Sequence, residues 1–224
     1  MRIAGVASAF PAYVYQQQQI TNALVEYWGD KVEALELVRR IHSRTGVDRR
    51  HLAFPLEQYA QLRTWGDSNR AWLRVSEELG AGAVDAVLEL TGFKRTEIDA
   101  LYTVSVTGIA SPSLDARLAN RMGLRSDLKR IPIFGLGCVG GAAGLARAAD
   151  YLRAFPDQVA VLLSVELCSL TIQLDDLSMA NIIASGLFAD GAVAALLSGR
   201  AAAQGPEIIN TKAVFYPGTE DMMG

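Results

Sequence analysis

Two cysteines are the residues of this 224-residue sequence that are best suited to covalent chemistry. Cys138 follows an apolar stretch and a glycine-rich turn, and it stands at the predicted start of an alanine-rich helix. At a helix start, unsatisfied backbone N–H groups and the helix dipole favour the thiolate, which is the nucleophilic form of cysteine. Gly135 and Gly137 permit the sharp turn that leads to it. The pattern therefore predicts a nucleophile suited to acyl transfer through a thioester.

A buried cysteine is also a common small hydrophobic residue of protein cores, and an isolated cysteine after a strand fits that interpretation well. Cys168 lies at the end of an apolar segment without a glycine-rich turn, so we expect it to be chemically inert. Neither cysteine belongs to a CxxC motif or to a Cys/His ligand spacing, so no disulfide and no metal site is indicated. Two free thiols are expected.

The composition is that of a globular protein with a sizeable core, because half of the residues are hydrophobic and 20% are charged. The net charge is only -3 and the basic residues are dispersed, which argues against a surface for nucleic acid or for an anionic membrane. No apolar run reaches the roughly 18 residues that a membrane span needs, and no secretory signal is evident. We expect a cytoplasmic protein.

The elements that must position Cys138 alternate between strands and helices, which predicts an α/β fold with buried strands in one domain. Predicted strands cover residues 3–9, 100–106, 130–134, 159–165, 191–197 and 208–215. Predicted helices cover residues 20–28, 32–41, 68–91, 112–122, 138–154 and 177–187. Residues 51–64 are expected to be irregular. Asp67 or Ser68 is the predicted N-cap of the long helix, Gly92 follows its end, and Pro112 is the predicted first residue of the next helix.

Three segments in the same order resemble the type III polyketide synthases, the chalcone and stilbene synthase family. They are TGIASPSLDARLANRMGL, then GCVGG followed by LARAADYL, and finally GLFADGAVAALLSG. The resemblance covers nearly the whole chain. The segments RIHSRTGVDRRHLAFPLEQY and ASPSLDAR look more like bacterial members, including alkylpyrone and alkylresorcinol synthases, than like plant chalcone synthases.

The resemblance implies a thiolase-like fold, in which two similar α/β halves stack as five αβαβα layers, usually within a homodimer. Residues 1–224 would form the amino-terminal half. Cys138 would take a starter acyl group from acyl-CoA, and malonyl-CoA would supply the extending carbanion without any further cofactor. The family's catalytic histidine and asparagine come from the carboxy-terminal half, so we expect the chain by itself to be inactive.

The resemblance also implies residues around the acyl pocket. Phe188 matches a gatekeeper phenylalanine that stands where the acyl chain passes the cysteine, and this role is favoured over core packing before a strand, which is the alternative. Thr171 and Cys168 match pocket-lining positions that set cavity volume. Ser111 replaces a methionine that reaches the partner's cavity across the dimer, which puts that contact of the plant enzymes in doubt.

Two arginines match basic positions that contact coenzyme A phosphates in the family. Arg40 and Arg44 are four residues apart near a predicted helix end, so they share one face. A third family lysine is replaced by Leu37, and a solvated basic face that favours the helix carboxyl end would explain the arginines equally well. His42 and His51 match no catalytic position, and we expect surface or hinge histidines there.

Two other functions stay open on the sequence. A ketoacyl-ACP synthase III-like enzyme shares the cysteine at a helix start, but its carrier protein requires an exposed basic patch, which Arg147 and Arg153 alone do not supply convincingly. A non-catalytic domain that dimerises or binds acyl-CoA is the alternative from a different class. A histidine and an asparagine in a second α/β half would favour the synthase.

Overall fold

The computed structural model describes residues 1–29 and 35–219, and its centre is a mixed five-stranded sheet. The strands in chain order are β1 (Arg2–Ala9), β2 (Tyr13–Gln16), β3 (Arg49–Leu52), β4 (Ala100–Val104), β5 (Lys129–Ile133), β6 (Val159–Leu167) and β7 (Asp190–Ser198). The central sheet has the order β1-β7-β6-β4-β5, and β2 pairs with β3 in a separate antiparallel pair. Strand β4 is parallel to β5 and β6, whereas β7 is antiparallel to β6 and β1.

Six described α-helices surround the central sheet and the β2–β3 pair. They are α1 (Gln17–Trp28), α2 (Leu35–Ser43), α3 (Trp65–Thr91), α4 (Leu114–Met122), α5 (Gly140–Ala154) and α6 (Met179–Leu187). Alternate residues of β6 point to opposite faces, as the two-residue period of a strand requires. Val161 and Leu163 pack with α3 and α4, while Ala160 and Leu162 pack with α5. The result is a helix–sheet–helix sandwich, which confirms the predicted α/β class.

A third apolar cluster lies beside the sandwich, where α1, α2 and α6 meet the β2–β3 pair. Trp28 and Val38 are almost fully buried there, and Ile20, Leu24 and Ile182 complete the contact between the helices. The four-residue strands β2 and β3 are too short to show a clear alternation in the sequence. Residues 51 and 52 of β3 consequently lie in the segment 51–64, for which the sequence predicts irregular structure.

Two predicted helix starts are wrong, each for a local reason. Helix α3 begins at Trp65 because Thr64 is its N-cap, and Asp67 is the third helical residue, whose side chain completes a capping box with Thr64. Helix α4 begins at Leu114 with Ser113 at its N-cap, so Pro112 lies before the helix. Helix α2 is described only from Leu35, and residues 32–34 of the predicted helix lie outside the described residues.

The strand predicted over residues 208–215 does not form. The chain there makes only a brief contact with β1, through an isolated bridge between Arg2 and Glu207 and a bond from the Ile208 amide to the Met1 carbonyl. Ile209 and Phe215 are more than four-fifths exposed, so their apolar side chains have no strand or core to pack against. Within the described ranges, none of the helices combines the length and the apolar character that crossing a membrane requires.

Candidate active site

Cys138 lies at the carboxyl edge of the parallel part of the sheet. It follows β5 and occupies a short 3-10 turn, Gly137–Val139, immediately before α5. Gly135 has φ 83° and Gly137 has φ 55°, which confirms the predicted sharp turn, since these left-handed conformations favour glycine. The α-helix begins at Gly140, two residues later than predicted, because the turn at Gly137 leads first into 3-10 geometry. The thiol-bearing residue is exposed.

Small residues bring the start of α5 close to the sheet. A Cβ atom on Gly140 would lie 2.6 Å from Val104 Cγ1, and one on Gly144 would lie 2.5 Å from Leu162 Cδ1. Both distances are well inside van der Waals contact, so larger residues would push the helix away from β4 and β6. The start of α5 is therefore held close against the parallel strands β4 and β6.

Cys168 has a different environment. It opens a 3-10 turn, Cys168–Thr171, directly after β6, and it is only partly exposed. Burial, followed by the negative charges of Asp190 and Glu166, raises the pKa of its thiol to about 12. The Cys168 thiol is therefore protonated at neutral pH.

The two thiols should differ in their rate of alkylation. At neutral pH, a limiting amount of iodoacetamide is expected to label Cys138 first, because Cys138 is exposed whereas the Cys168 thiol is partly buried and protonated. Peptide mass spectrometry measures the order of labelling, and a Cys138→Ser variant should leave only slow labelling at Cys168. Preferential labelling of Cys168 in the unmodified chain would exclude Cys138 as the nucleophile.

Three of the predicted pocket residues line one cavity of about 170 Å³. Cys168, Thr171 and Phe188 form part of its wall, and Thr171 Oγ1 donates to the Cys168 carbonyl oxygen at 2.8 Å. The rest of the lining is mostly apolar and comes from α1, β3, α6 and the 3-10 helix Leu56–Gln61. Phe188 follows α6 directly and is 46% exposed, so it is not an ordinary core residue in the described chain.

A larger open groove of about 1170 Å³ shares the walls formed by Tyr59 and Thr171 with this cavity. Val106, Thr107 and Phe134, which follow β4 and β5, line the groove. The carboxylate of Glu166 accepts hydrogen bonds from the Val106 amide at 3.1 Å and from Thr107 Oγ1 at 2.8 Å. A charge on β6 thus fixes the loop that follows the neighbouring strand.

The other predicted site residues lie away from the cavity. Arg40 is exposed on α2, and Arg44 is exposed just after the end of that helix. Ser111 is exposed in the loop before α4 and lines neither the cavity nor the groove. The structure therefore brings Cys168, Thr171 and Phe188 together but places the arginines and Ser111 on separate surfaces.

The prediction of a surface or hinge position is wrong for His42. The residue is 1% exposed, and its ring nitrogens lie 3.0 Å from Thr21 Oγ1 and 3.0 Å from the Ile182 carbonyl oxygen. Burial lowers the pKa of His42, so the ring is held neutral between α1, α2 and α6. His51 is half-buried and stacks on Phe10 with ring centroids 4.9 Å apart.

A buried polar cluster beneath the cavity has no counterpart in the sequence predictions. Asp190, the first residue of β7, accepts hydrogen bonds from the Ala53 amide at 2.6 Å and from the Ser169 amide at 2.8 Å. The Ser169 hydroxyl also donates to Asp190, and it lies 2.5 Å from the Tyr59 hydroxyl. Arg50 completes the cluster with bonds to backbone carbonyls of the α6 segment. Its members are far apart in sequence, so no local spacing indicates them.

The family model for FAE1/type III polyketide synthase-like proteins matches residues 12–210. The chain belongs to the type III polyketide synthase family. It is 48% identical over 226 aligned residues to a 1,3,6,8-tetrahydroxynaphthalene synthase of Streptomyces peucetius subsp. caesius, an alignment that covers 99% of this chain and 60% of the relative. A putative chalcone synthase of Bacillus subtilis is 32% identical over 99% of this chain and 64% of its own length.

The comparison with solved structures agrees with the assignment to the type III polyketide synthase family. The crystal structure of the 1,3,6,8-tetrahydroxynaphthalene synthase from Streptomyces coelicolor A3(2) superposes with a TM-score of 0.92 at 30% identity, covering 99% of this chain and 63% of that one. The thiolase-like fold and the likeness to bacterial members are thereby confirmed. The chain spans about three fifths of the length of these relatives.

Proposed function

We propose that this chain is the nucleophile-bearing, amino-terminal domain of an acyltransferase that condenses an acyl-CoA starter with malonyl-CoA. The observation that carries the proposal is the exposed Cys138 in a tight turn at the amino end of α5. Phe134, four residues before it, lines the groove that shares walls with the cavity. Relatives whose names denote synthases of polyhydroxylated aromatic compounds, tetrahydroxynaphthalene and phloroglucinol, support it. The family match also favours this function over a carrier-protein-dependent synthase.

The proposed reaction has two steps at Cys138. The thiolate attacks the carbonyl carbon of the acyl-CoA, a new carbon–sulfur bond forms, and coenzyme A leaves as its thiolate. Malonyl-CoA then loses carbon dioxide, and its carbanion attacks the acyl-cysteine, so that a carbon–carbon bond forms and the cysteine sulfur is released. No redox cofactor or metal ion is needed for this balance. The oxygen that becomes negatively charged during decarboxylation requires hydrogen-bond donors.

The first step is tested by trapping the acyl-enzyme. The full gene product, meaning this chain with whatever its reading frame encodes after Gly224, is incubated with an acyl-CoA, quenched in acid and digested. Mass spectrometry should find the acyl mass on the Cys138 peptide. An acyl group on Cys168, or no acyl group on either thiol while polyketide is formed, would contradict the proposal.

The remaining site assignments follow from the same proposal. Phe188 acts as the gate beside the cavity, and Thr171 and Cys168 set its volume. We propose that the complete enzyme is a homodimer in the cytoplasm. Ser111 stands at the position from which a methionine of the family reaches the cavity of the partner subunit. Because serine is shorter, we expect Ser111 to contribute little to that cavity. An altered product length in a Thr171→Leu variant, with Cys138 acylation retained, would support the cavity assignment.

Arg40 and Arg44 are proposed to contact coenzyme A phosphates. Replacing both with alanine in the full gene product is expected to raise KM for acyl-CoA about tenfold or more, with a smaller effect on kcat, because hydrogen bonds to charged groups contribute about 1.5 to 3 kcal/mol each. The double Arg147→Ala, Arg153→Ala variant on α5 is the matched control, since it removes the same charge from side chains that pair with Asp150. Equal saturation curves for the two double variants would leave Arg40 and Arg44 as ordinary surface charges.

A further inference from the structure

Arg50 on β3 is the one charged residue among the described residues that line the cavity beside Phe188. Only 4% of its surface is exposed. Nη1 donates to the carbonyl oxygens of Ser185 at 2.7 Å and of Phe188 at 2.8 Å. Nε and Nη2 are buried and donate to no acceptor in the part of the chain that the structure describes. Half of the guanidinium is thus engaged by the protein, and the other half offers donors.

The charge around this guanidinium is largely balanced. Burial lowers the pKa of Arg50 to about 10, and the neighbouring Asp190 opposes that shift, so Arg50 is protonated at neutral pH. The Asp190 oxygens already accept bonds from the Ala53 and Ser169 amides and from the Ser169 hydroxyl. Asp190 therefore compensates the charge of Arg50 without occupying Nε and Nη2. A ligand here needs oxygen acceptors but no full negative charge.

We propose that the edge formed by Nε and Nη2 of Arg50 is a subsite for the two oxygens of a β-dicarbonyl group on a short chain in this cavity. That edge of a guanidinium presents N–H groups side by side in one plane, which matches a pair of neighbouring oxygen acceptors. Because both nitrogens lack an acceptor within the described residues, the dicarbonyl oxygens would add hydrogen bonds there without displacing a protein partner. Apolar neighbours such as Ile20, Leu24 and Leu52 cover the hydrocarbon part of the chain.

This inference rests on the proposed function, because repeated condensation with malonyl-CoA produces chains with a carbonyl group on every second carbon. The first β-dicarbonyl unit that moves away from Cys138 would be held by Arg50. Arg50 is therefore a positioning residue for the growing chain, and it discriminates oxygenated chains from plain fatty acyl chains of equal length.

The test compares two neutral ligands of the same length on the full gene product. Isothermal titration calorimetry measures the Kd of 2,4-octanedione and of 2-octanone, which differ by a single carbonyl group. The dione is expected to bind about tenfold or more tightly, as two bonds to a charged donor replace one. An Arg50→Leu variant should lose this preference. Arg49→Leu, which removes an exposed arginine from the adjacent position of β3, should keep it.

Further arms keep the test decisive if Arg50→Leu does not fold. An Ala23→Phe variant fills the cavity while Arg50 stays, and it should lose binding of both ligands. Equal affinities for the dione and the ketone in the unmodified chain, or a preference that persists in Arg50→Leu or in Ala23→Phe, would overturn the proposal. Tighter binding of octanoate than of the dione would overturn the dicarbonyl assignment. Since neither ketone can acylate Cys138, failure here is distinguishable from failure of the proposed condensation.

Discussion

The 224-residue chain alone is expected neither to decarboxylate malonyl-CoA nor to release a polyketide, even though its cysteine should react. Negative charge develops on the thioester oxygen during decarboxylation, and each missing preorganised donor typically costs about 100- to 1000-fold in rate. The resemblance to the family assigns this task to a histidine and an asparagine, and neither His42 nor His51 lines the described cavity or groove. Losing both donors corresponds to about 10⁴-fold or more.

This prediction is tested by measuring the release of labelled carbon dioxide from malonyl-CoA and by chromatography of the products. Iodoacetamide labelling of Cys138 in the same preparation is the control for a folded and accessible site. Adding a separately expressed carboxy-terminal half of the Streptomyces peucetius relative should raise the rate if the halves associate. Turnover by the chain alone at a rate of about 1 s⁻¹, within the usual range for enzymes, would mean that the catalytic donors lie among these residues.

Replacing Cys138 with alanine in the full gene product is expected to reduce polyketide formation by about 1000-fold or more, because Cys138 is the proposed acyl carrier and the Cys168 thiol is partly buried and protonated. The structure gives the change little opportunity to disturb the fold, since Cys138 is exposed in a turn whose shape is set by Gly135 and Gly137. Product formation is followed with a starter acyl-CoA and malonyl-CoA, and the melting temperature of the variant checks its fold.

Cys168→Ala is the matched control for the loss of a thiol. It should retain the acyl adduct on Cys138, although the product pattern can change because Cys168 lines the cavity. If the two variants lose the same activity, the covalent step cannot be assigned to Cys138. If Cys138→Ala keeps its activity, the reaction does not pass through a cysteine thioester on this chain.

The turn that carries Cys138 could be predicted because its determinants are local. Gly135 and Gly137 adopt positive φ values, so the glycines beside Cys138 in the sequence already indicate the sharp turn. The same holds for the end of α3, where Gly92 adopts the left-handed conformation at φ 75° as predicted. Residues 208–215 failed as a strand because an apolar segment also needs a partner strand, which a local pattern cannot supply.

The polar cluster under the cavity could not be predicted because it joins distant parts of the chain. The bond between Ala53 and Asp190 spans 137 residues, and Arg50 contacts Ser185 across 135. The sequence did contain a signal that His42 is buried. Val38 and His42 are one helical turn apart and are both buried, so the apolar face of α2 includes the histidine although arginines flank it in the sequence.

Residue 188 illustrates how a fixed backbone can leave a side chain free to vary. Its amide donates to the Ala184 carbonyl at 3.1 Å, and its carbonyl accepts from Arg50 at 2.8 Å, so both main-chain groups are held independently of the side chain. The phenyl ring itself lines the cavity and is 46% exposed. Selection can therefore exchange this side chain in a single mutational step at small cost in folding free energy. We expect residue 188 to differ among descendants of one ancestral enzyme that have acquired different product ranges.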